Sequence, residues 1–326
     1  MLRYFHDITR RATRMFLTVA AIMLPVMILV YAGERLGLVA LAGRGLAPAM
    51  AFMGLPAEAG IAWATTILTN IYGGIAVIVA FSGDVPLTVA QMSALGSMML
   101  FAHNLPTEQA VVRRAGASAL FTGGLRLLVG AAYGAAVAWA CHLGGWLQQP
   151  VSLAWLRGGG EAGSGVPDLL PWLVSTARSF LLIWLIISVL VVVLDALERV
   201  GFTRRVTRVL APILRLTGVE ERAAPLATVG MLMGLAYGGA LIIEASTRER
   251  YGRRSLLLAL CWLSLYHALL EDTLLIAALG ANVWIILVLR GVVTLAIMAG
   301  LAALTRPQTR WGRWLAQEST QLASSR

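Results

Sequence analysis

The sequence predicts an all-α polytopic membrane protein made of two inverted-topology repeats, each ordered span, interfacial helix, re-entrant hairpin, broken span, span. Three observations predict it. Of 326 residues, 59% are hydrophobic and only 13% charged, against about 25% charged in an ordinary soluble domain. Apolar runs long enough for a membrane helix, which needs about 20 residues, fall at about 15–33, 60–82, 85–105, 118–143, 172–195, 224–246, 255–276 and 282–305. Finally, the chain matches itself at an offset of 164, and fixed-period self-similarity marks a duplicated unit.

The offset aligns Arg14, Phe16 and Leu17 with Arg178, Phe180 and Leu181, and Glu34, Arg35 and Gly37 with Glu198, Arg199 and Gly201. It aligns Leu46-Ala47-Pro48 with Leu210-Ala211-Pro212, and Gly54 with Gly218. After a one-residue slip Tyr72-Gly73-Gly74 meets Tyr237-Gly238-Gly239; then His103 and Leu105 meet His267 and Leu269, and Arg126 meets Arg290. Leu and Ala matches are cheap in this composition, but two of only four histidines coincide.

The elements follow in order. Residues 1–12 are an arginine-rich tail expected in the cytoplasm, and 13–143 form the first repeat. Its first apolar run, 15–33, resembles a secretory signal, but its counterpart is an internal span, so it is expected to be retained. Leu38–Met53 is amphipathic and expected at the membrane interface. Run 60–82 is a hairpin that turns back near Tyr72-Gly73-Gly74, run 85–105 a span broken by Pro106 just after His103, and 118–143 a full span. Residues 144–176 are an external linker containing the Gly-rich stretch Arg157–Val166, a composition that favours a flexible connection. The second repeat, 177–305, repeats the order, with Thr203–Leu216 setting Arg204, Arg205 and Arg208 on one face. Residues 306–326 form a second cytoplasmic tail.

Arginine decides the orientation. The chain has 26 Arg and no Lys. Eight full spans would distribute the arginines almost evenly across the membrane. If runs 60–82 and 224–246 enter and leave on one side, each repeat crosses three times and the second is inverted. Twenty arginines then lie inside, four outside (Arg35, Arg44, Arg157 and Arg178), and only Arg126 and Arg290 within spans. The positive-inside rule favours that arrangement, with both termini cytoplasmic and the protein in a bacterial-type cytoplasmic (inner) membrane. Absence of lysine removes the P-loop lysine and Schiff-base chemistry, so ATP-driven and pyridoxal reactions are not expected. Cys141 and Cys261 stand alone in apolar stretches, giving no disulfide framework. No nucleophile elbow is present. An enzyme is therefore not expected, nor a nucleic-acid partner or a resident cofactor.

Two constellations carry the candidate chemistry. The hairpin residues Asn70, Tyr72, Gly73 and Gly74, with Tyr237, Gly238, Gly239 and Glu244, sit where inverted-repeat transporters interrupt paired helices around a midplane site. Gly230, Gly234 and Gly238, spaced by four, read also as a small-residue packing seam. The second constellation is His103 and Glu108 with Arg126, mirrored by His267, Glu271 and Asp272 with Arg290. Ionisable residues at membrane depth cost about 2.5–3.5 kcal/mol each on insertion scales, so Glu108 with Arg126, and Glu271 or Asp272 with Arg290, are the expected pairs. Such pairs either lock helices together or gate and bind a solute. The histidine and carboxylate clusters suit a coupling ion, H+ or Na+, or a divalent cation.

At these residues the chain resembles the Gate, or nucleoside-recognition, family of membrane proteins. The resemblance rests on Tyr-Gly-Gly in each hairpin, on HNLPTEQAVVRRAGA (103–117) and HALLEDTLLIAALGA (267–281), and on Arg126 and Arg290. It covers nearly the whole chain as two Gate-like copies, distantly similar to concentrative nucleoside transporters and to the membrane part of the bacterial ferrous iron permease. The resemblance implies inverted repeats of interfacial helices, hairpins and broken spans. The Glu- and Gln-rich hairpin motifs of the nucleoside transporters are missing, as is the GTPase of the iron permease.

The expected function is a secondary transporter, or permease, of a small polar or anionic solute, nucleoside-like compounds included. The alternatives are a non-transporting membrane scaffold or accessory protein, and a divalent-cation permease. The expected partners are the lipid bilayer and the solute or ion, with a homo-oligomer left open.

Overall fold

A computed structural model describes residues 2–81, 86–153, 169–221, 223–234 and 252–309. Helices account for nearly all regular structure there, and the one β-type contact is an isolated bridge between Thr88 and Pro150. The first half contains α1 (Leu2–Arg35), α2 (Leu38–Phe52), α3 (Ala57–Leu68), α4 (Ile71–Phe81), α5 (Val89–Phe101), α6 (Leu105–Arg114) and α7 (Ala119–Gly144). The second contains α8 (Leu169–Arg199), α9 (Phe202–Leu216), α10 (Ala224–Met233), α11 (Arg253–Leu265), α12 (Glu271–Ala278), a π-helical turn (Trp284–Leu289) and α13 (Arg290–Leu304).

Local structure recurs with the sequence. α2 and α9, and likewise α5 and α11, begin and end 164 residues apart. Left-handed backbone recurs at the same spacing: Gly37 (φ 71°) and Gly201 (69°), Gly54 (72°) and Gly218 (90°), Asn104 (48°) and Ala268 (50°), Gly116 (94°) and Gly280 (94°). A non-glycine residue in this region is uncommon, so the Asn104 and Ala268 pair marks a bend written into both halves.

Among the described residues, Ala119–Gly144, Leu169–Leu197 and Trp284–Leu304 are long and apolar enough to cross a membrane. The pair Leu41–Phe52 and Ala57–Leu68 passes the same test together but is bent by 100°. That bend follows from a short link, Met53 to Pro56, in which Gly54 takes φ 72° and Pro56 supplies the extended residue before α3.

By its contacts the chain divides into two compact units, which cut across the two halves of the sequence. The first comprises Met1–Leu105, Val129–Arg199 and Leu274–Ile286, the second Pro106–Leu128, Val200–Thr273 and Leu287–Arg326. In the first unit α1 lies along α8, with Phe16 edge-on to Phe180 at 6.1 Å and Tyr31 against Trp172 at 4.6 Å. α3 and α4 form a helical hairpin against α5, where Trp63 Nε1 donates to the Met98 carbonyl at 3.1 Å. Thr88 opens α5 with a reciprocal capping box to Gln91, which satisfies two otherwise orphaned amides. Close approach inside this unit relies on small residues: a Cβ on Gly96 would lie 2.4 Å from Ile276 Cγ2, and one on Gly134 2.4 Å from Met98 Cγ.

In the second unit α9 packs on α10, α10 on α11 and α11 on α13. Trp262 Nε1 donates to Thr217 Oγ1 at 2.8 Å. Arg254 donates to the carbonyls of Ala302 and Thr305, both at 3.0 Å, covering C-terminal acceptors of α13 that no amide reaches.

The hairpin turns slightly earlier than Tyr72-Gly73-Gly74. α3 ends at Leu68, and Asn70 starts α4 by accepting from the Gly73 amide at 3.0 Å, the ordinary behaviour of an N-cap asparagine. Gly73 and Gly74 therefore lie inside α4. The break after α5 falls at His103, between Phe101 and Leu105, but its cause differs from expectation. α5 stops at Phe101, and Pro106 sits in the first turn of α6, where a missing N–H costs nothing. The equivalent break after α11 has Leu270 in place of Pro106. Proline is thus not the common cause; the left-handed residues Asn104 and Ala268 are.

Candidate functional site

Each broken helix ends on a histidine that satisfies its own helix. His103 Nδ1 lies 2.9 Å from the Met99 carbonyl, and His267 Nδ1 2.6 Å from the Leu263 carbonyl. The last carbonyls of a helix have no amide partner, so a ring N–H four residues on closes the end. The chain then turns through Asn104 or Ala268, and an amide at each turn donates to a carbonyl of a neighbouring helix, α3 or α10. Asn104 N donates to Thr66 O at 2.9 Å, and Leu269 N to Met231 O at 3.1 Å. The histidines are therefore held by main-chain geometry, with their Nε2 atoms directed away from their own helices.

In the second unit charge gathers beside the break after α11. Arg126 is fully buried on α7 and its Nη1 donates to Glu108 Oε2 on α6. The other carboxylate oxygen, Oε1, lies 3.2 Å from His267 Nε2. Glu108 is 5% exposed and His267 1%, so the three form a dry chain from guanidinium to carboxylate to imidazole. Arg290, also fully buried, stands 4.8 Å over the Tyr266 ring and directs Nη2 at the His267 carbonyl, 3.5 Å away. The ring face is electron-rich and stabilises a cation there. Tyr266 is itself fixed, its hydroxyl donating to Leu287 O at 2.9 Å.

The expected pair of Glu108 with Arg126 is formed, and His267 extends it from the second half of the sequence. Glu271 and Asp272 occupy the first turn of α12 and are half-buried, while the contacts just given for Arg290 are to Tyr266 and the His267 carbonyl. His103 is buried at the end of α5 in the first unit. Asn70 caps α4, and Tyr72 lies half-buried beside it. Gly73 and Gly74 face α3: a Cβ on Gly73 would fall 2.2 Å from Thr69 Oγ1, and one on Gly74 1.8 Å from Thr66 Oγ1. This close approach uses the glycine pair to join the hairpin arms. Gly234 ends α10 at φ 106°, with no described atom within 4 Å of where its Cβ would stand. Tyr237, Gly238, Gly239 and Glu244 lie outside the described residues, as does the stretch Arg157–Val166.

Sequence reasoning missed a set of buried polar atoms in the same unit. Gln109 Nε2, Ser264 Oγ, Thr273 Oγ1 and Thr294 Oγ1 have no hydrogen-bond partner among the described residues. Buried polar groups are normally satisfied, so each is a point where water or a ligand would bind favourably. One signal was available: Thr294 is four residues beyond Arg290, hence on the same helix face.

Residues 178–283 match the Gate family, described as nucleoside recognition. The Gate segment runs from α8 to the start of the π-helical turn and so contains His267 and Tyr266, whereas Glu108, Arg126 and Arg290 lie outside it. The whole chain is similar to the uncharacterized membrane protein YvoD of Bacillus subtilis (strain 168), with 28% identity over 304 residues covering 91% of each chain. No solved structure matches it. Together with its apolar helices, these findings make the chain a membrane protein that carries a Gate segment.

Proposed function

We propose that the protein is a secondary permease for a small polar or anionic solute, working in a bacterial-type cytoplasmic (inner) membrane with both termini inside. The observation that carries this reading is the buried chain Arg126, Glu108 and His267 in the second unit. Charges are expensive at membrane depth and mark ion or substrate pathways there. The unpartnered oxygens of Ser264, Thr273 and Thr294 add capacity for a polar ligand in that unit.

The recurrence of elements at a spacing of 164 supports two repeats, 13–143 and 177–305, and the arginine count supports their inverted orientation. In this reading Asn70, Tyr72 and Glu244 with the hairpin ends touch solute, the histidine and carboxylate groups take the coupling ion, and Arg126 and Arg290 hold the broken helices or an anionic group. The description of the Gate family makes nucleosides the first solutes to assay. A divalent cation is disfavoured at Glu108, because the Arg126 guanidinium already neutralises one oxygen and repels a second cation.

Purified protein in liposomes tests the reading. Solute uptake above that of empty liposomes is expected, reduced in Tyr72→Ala, His267→Ala and Glu244→Gln. Wild-type flux equal to that of empty liposomes for every solute and ion tried overturns it. The scaffold alternative takes the Arg126–Glu108 bond as a lock alone, and expects these charge variants to alter folding or partner recovery with no flux to alter.

A further inference from the structure

We infer that Glu108 and His267 form a binding site for one exchangeable proton, which joins α6 to the break after α11. His267 Nδ1 is 2.6 Å from the Leu263 carbonyl oxygen, which only accepts, so Nδ1 carries a hydrogen. A neutral imidazole with its hydrogen on Nδ1 has a bare lone pair on Nε2. That nitrogen faces Glu108 Oε1 at 3.2 Å, and an ionised carboxylate is likewise an acceptor alone. Two lone pairs opposed in a dry site repel. The contact becomes a hydrogen bond when one proton enters it, on Nε2 or on Oε1.

Two guanidinium groups flank the place of that proton. Facing the pair are Arg126 from α7, bonded to Glu108 Oε2, and Arg290 from α13, at the His267 carbonyl and the Tyr266 ring. In sequence, His103 precedes Glu108 by five residues, and Glu271 and Asp272 follow His267 by four and five. Both guanidiniums oppose a further positive charge, while the hydrogen-bond geometry requires one. The contact therefore has two forms, a protonated one in which α6 and residues 266–270 attract and a deprotonated one in which they repel. A two-state contact of this kind is what an ion-coupled cycle uses. The identification of the coupling ion as a proton rests on the permease reading, whereas the site itself does not.

The test reads ring protonation directly, by 15N NMR of the full chain labelled at histidine in lipid bilayers. Spectra are taken about one pH unit below and above the ordinary imidazole value of about 6.5. At the lower pH the expected result is one ring protonated on both nitrogens and hydrogen-bonded to a carboxylate. That signal is lost in His267→Gln, whose amide donates to Glu108 without a titrating proton. In Glu108→Gln the ring is expected to keep Nδ1–H and to show Nε2 as an acceptor from the new amide. A wild-type ring whose Nε2 neither carries a proton nor accepts a hydrogen bond from the Glu108 carboxyl at either pH overturns the proposal, and so does a Glu108→Gln spectrum identical to wild type. Where Glu108→Gln does not fold, His267→Gln alone decides the assignment. Flux measured on the same preparations separates the two readings. A doubly protonated ring with no flux of any solute keeps the site and removes the permease, and flux with unchanged pH dependence in His267→Gln keeps the permease and removes the coupling.

Discussion

Alanine at Gly74 is expected to wedge the α3–α4 hairpin open. Its Cβ would lie 1.8 Å from Thr66 Oγ1, 2.8 Å from Met99 Cε and 3.0 Å from the Ala62 carbonyl oxygen. Met99 can swing its methyl aside. Thr66 cannot yield so cheaply, because its hydroxyl donates to Ala62 O at 2.8 Å. Even a close carbon-to-oxygen contact spans about 3.3 Å, so the arms must part by roughly 1.5 Å or Thr66 must change rotamer and give up its bond. Overpacking costs about 1–3 kcal/mol, and the lost hydrogen bond about 1 kcal/mol. A destabilisation of about 2–4 kcal/mol is therefore expected, read by unfolding of the purified protein in detergent. Thr66→Ala removes the obstructing oxygen, so the double variant Thr66→Ala/Gly74→Ala should recover at least about 1 kcal/mol relative to the sum of the single variants. Gly74→Ala with wild-type stability but altered flux would refute the packing argument and return the glycine pair to the solute site.

Four further outcomes follow from the geometry. Arg126→Met leaves Glu108 buried without its cation and should destabilise the protein by about 3–5 kcal/mol in the same unfolding assay, with the double variant Arg126→Met/Glu108→Leu recovering much of the loss. Ala268→Gly relieves a left-handed alanine, which costs about 1–2 kcal/mol, and should raise stability by up to about 1 kcal/mol; Ala268→Val should lower it. Glu221→Ala removes an exposed pair with Arg215 (2.9 Å) and should change stability by less than about 1 kcal/mol. For orientation, single cysteines placed at 44, 113, 205 and 306 in a Cys141→Ala/Cys261→Ala background should react with an impermeant maleimide from outside at 44 only. Reaction of 44 and 113 from the same side would overturn the inverted arrangement.

Much of the fold was legible because it rests on patterns that the sequence carries openly. Apolar run length marks the three helices long enough to cross a membrane, in runs 118–143, 172–195 and 282–305, and the spacing of 164 aligns Gly37 with Gly201 and Gly54 with Gly218, which share a left-handed backbone. The Arg126–Glu108 bond was legible too, since two charges in adjacent apolar runs of the same half have little alternative but each other. The link from Glu108 to His267 was not. It joins residues 159 positions apart, and no periodicity within one half reports on a contact with the other. The cause of the break at His103, as distinct from its position, was not legible for a local reason. Pro106 is the conspicuous helix breaker in the sequence, but at the first turn of α6 it is a good helix starter, and the actual bend belongs to Asn104 and Ala268, which no composition rule singles out. The Tyr-Gly-Gly glycines illustrate the same limit: a sharp turn and a close helix approach ask for the same residue, and only the facing Thr66 and Thr69 distinguish them.

The span from Glu108 to His267 also orders events during synthesis. Arg126 and Glu108 leave the ribosome long before His267, so the first half reaches the membrane with a carboxylate whose second oxygen still lacks its imidazole. The Glu108–Arg126 bond can form at once and allows these residues to enter the bilayer as a nearly neutral pair. The imidazole arrives only when the second half has been made, and Glu108 Oε1 then gains that contact. Two separately expressed halves should therefore each insert, yet the site should assemble only when both are present in one membrane.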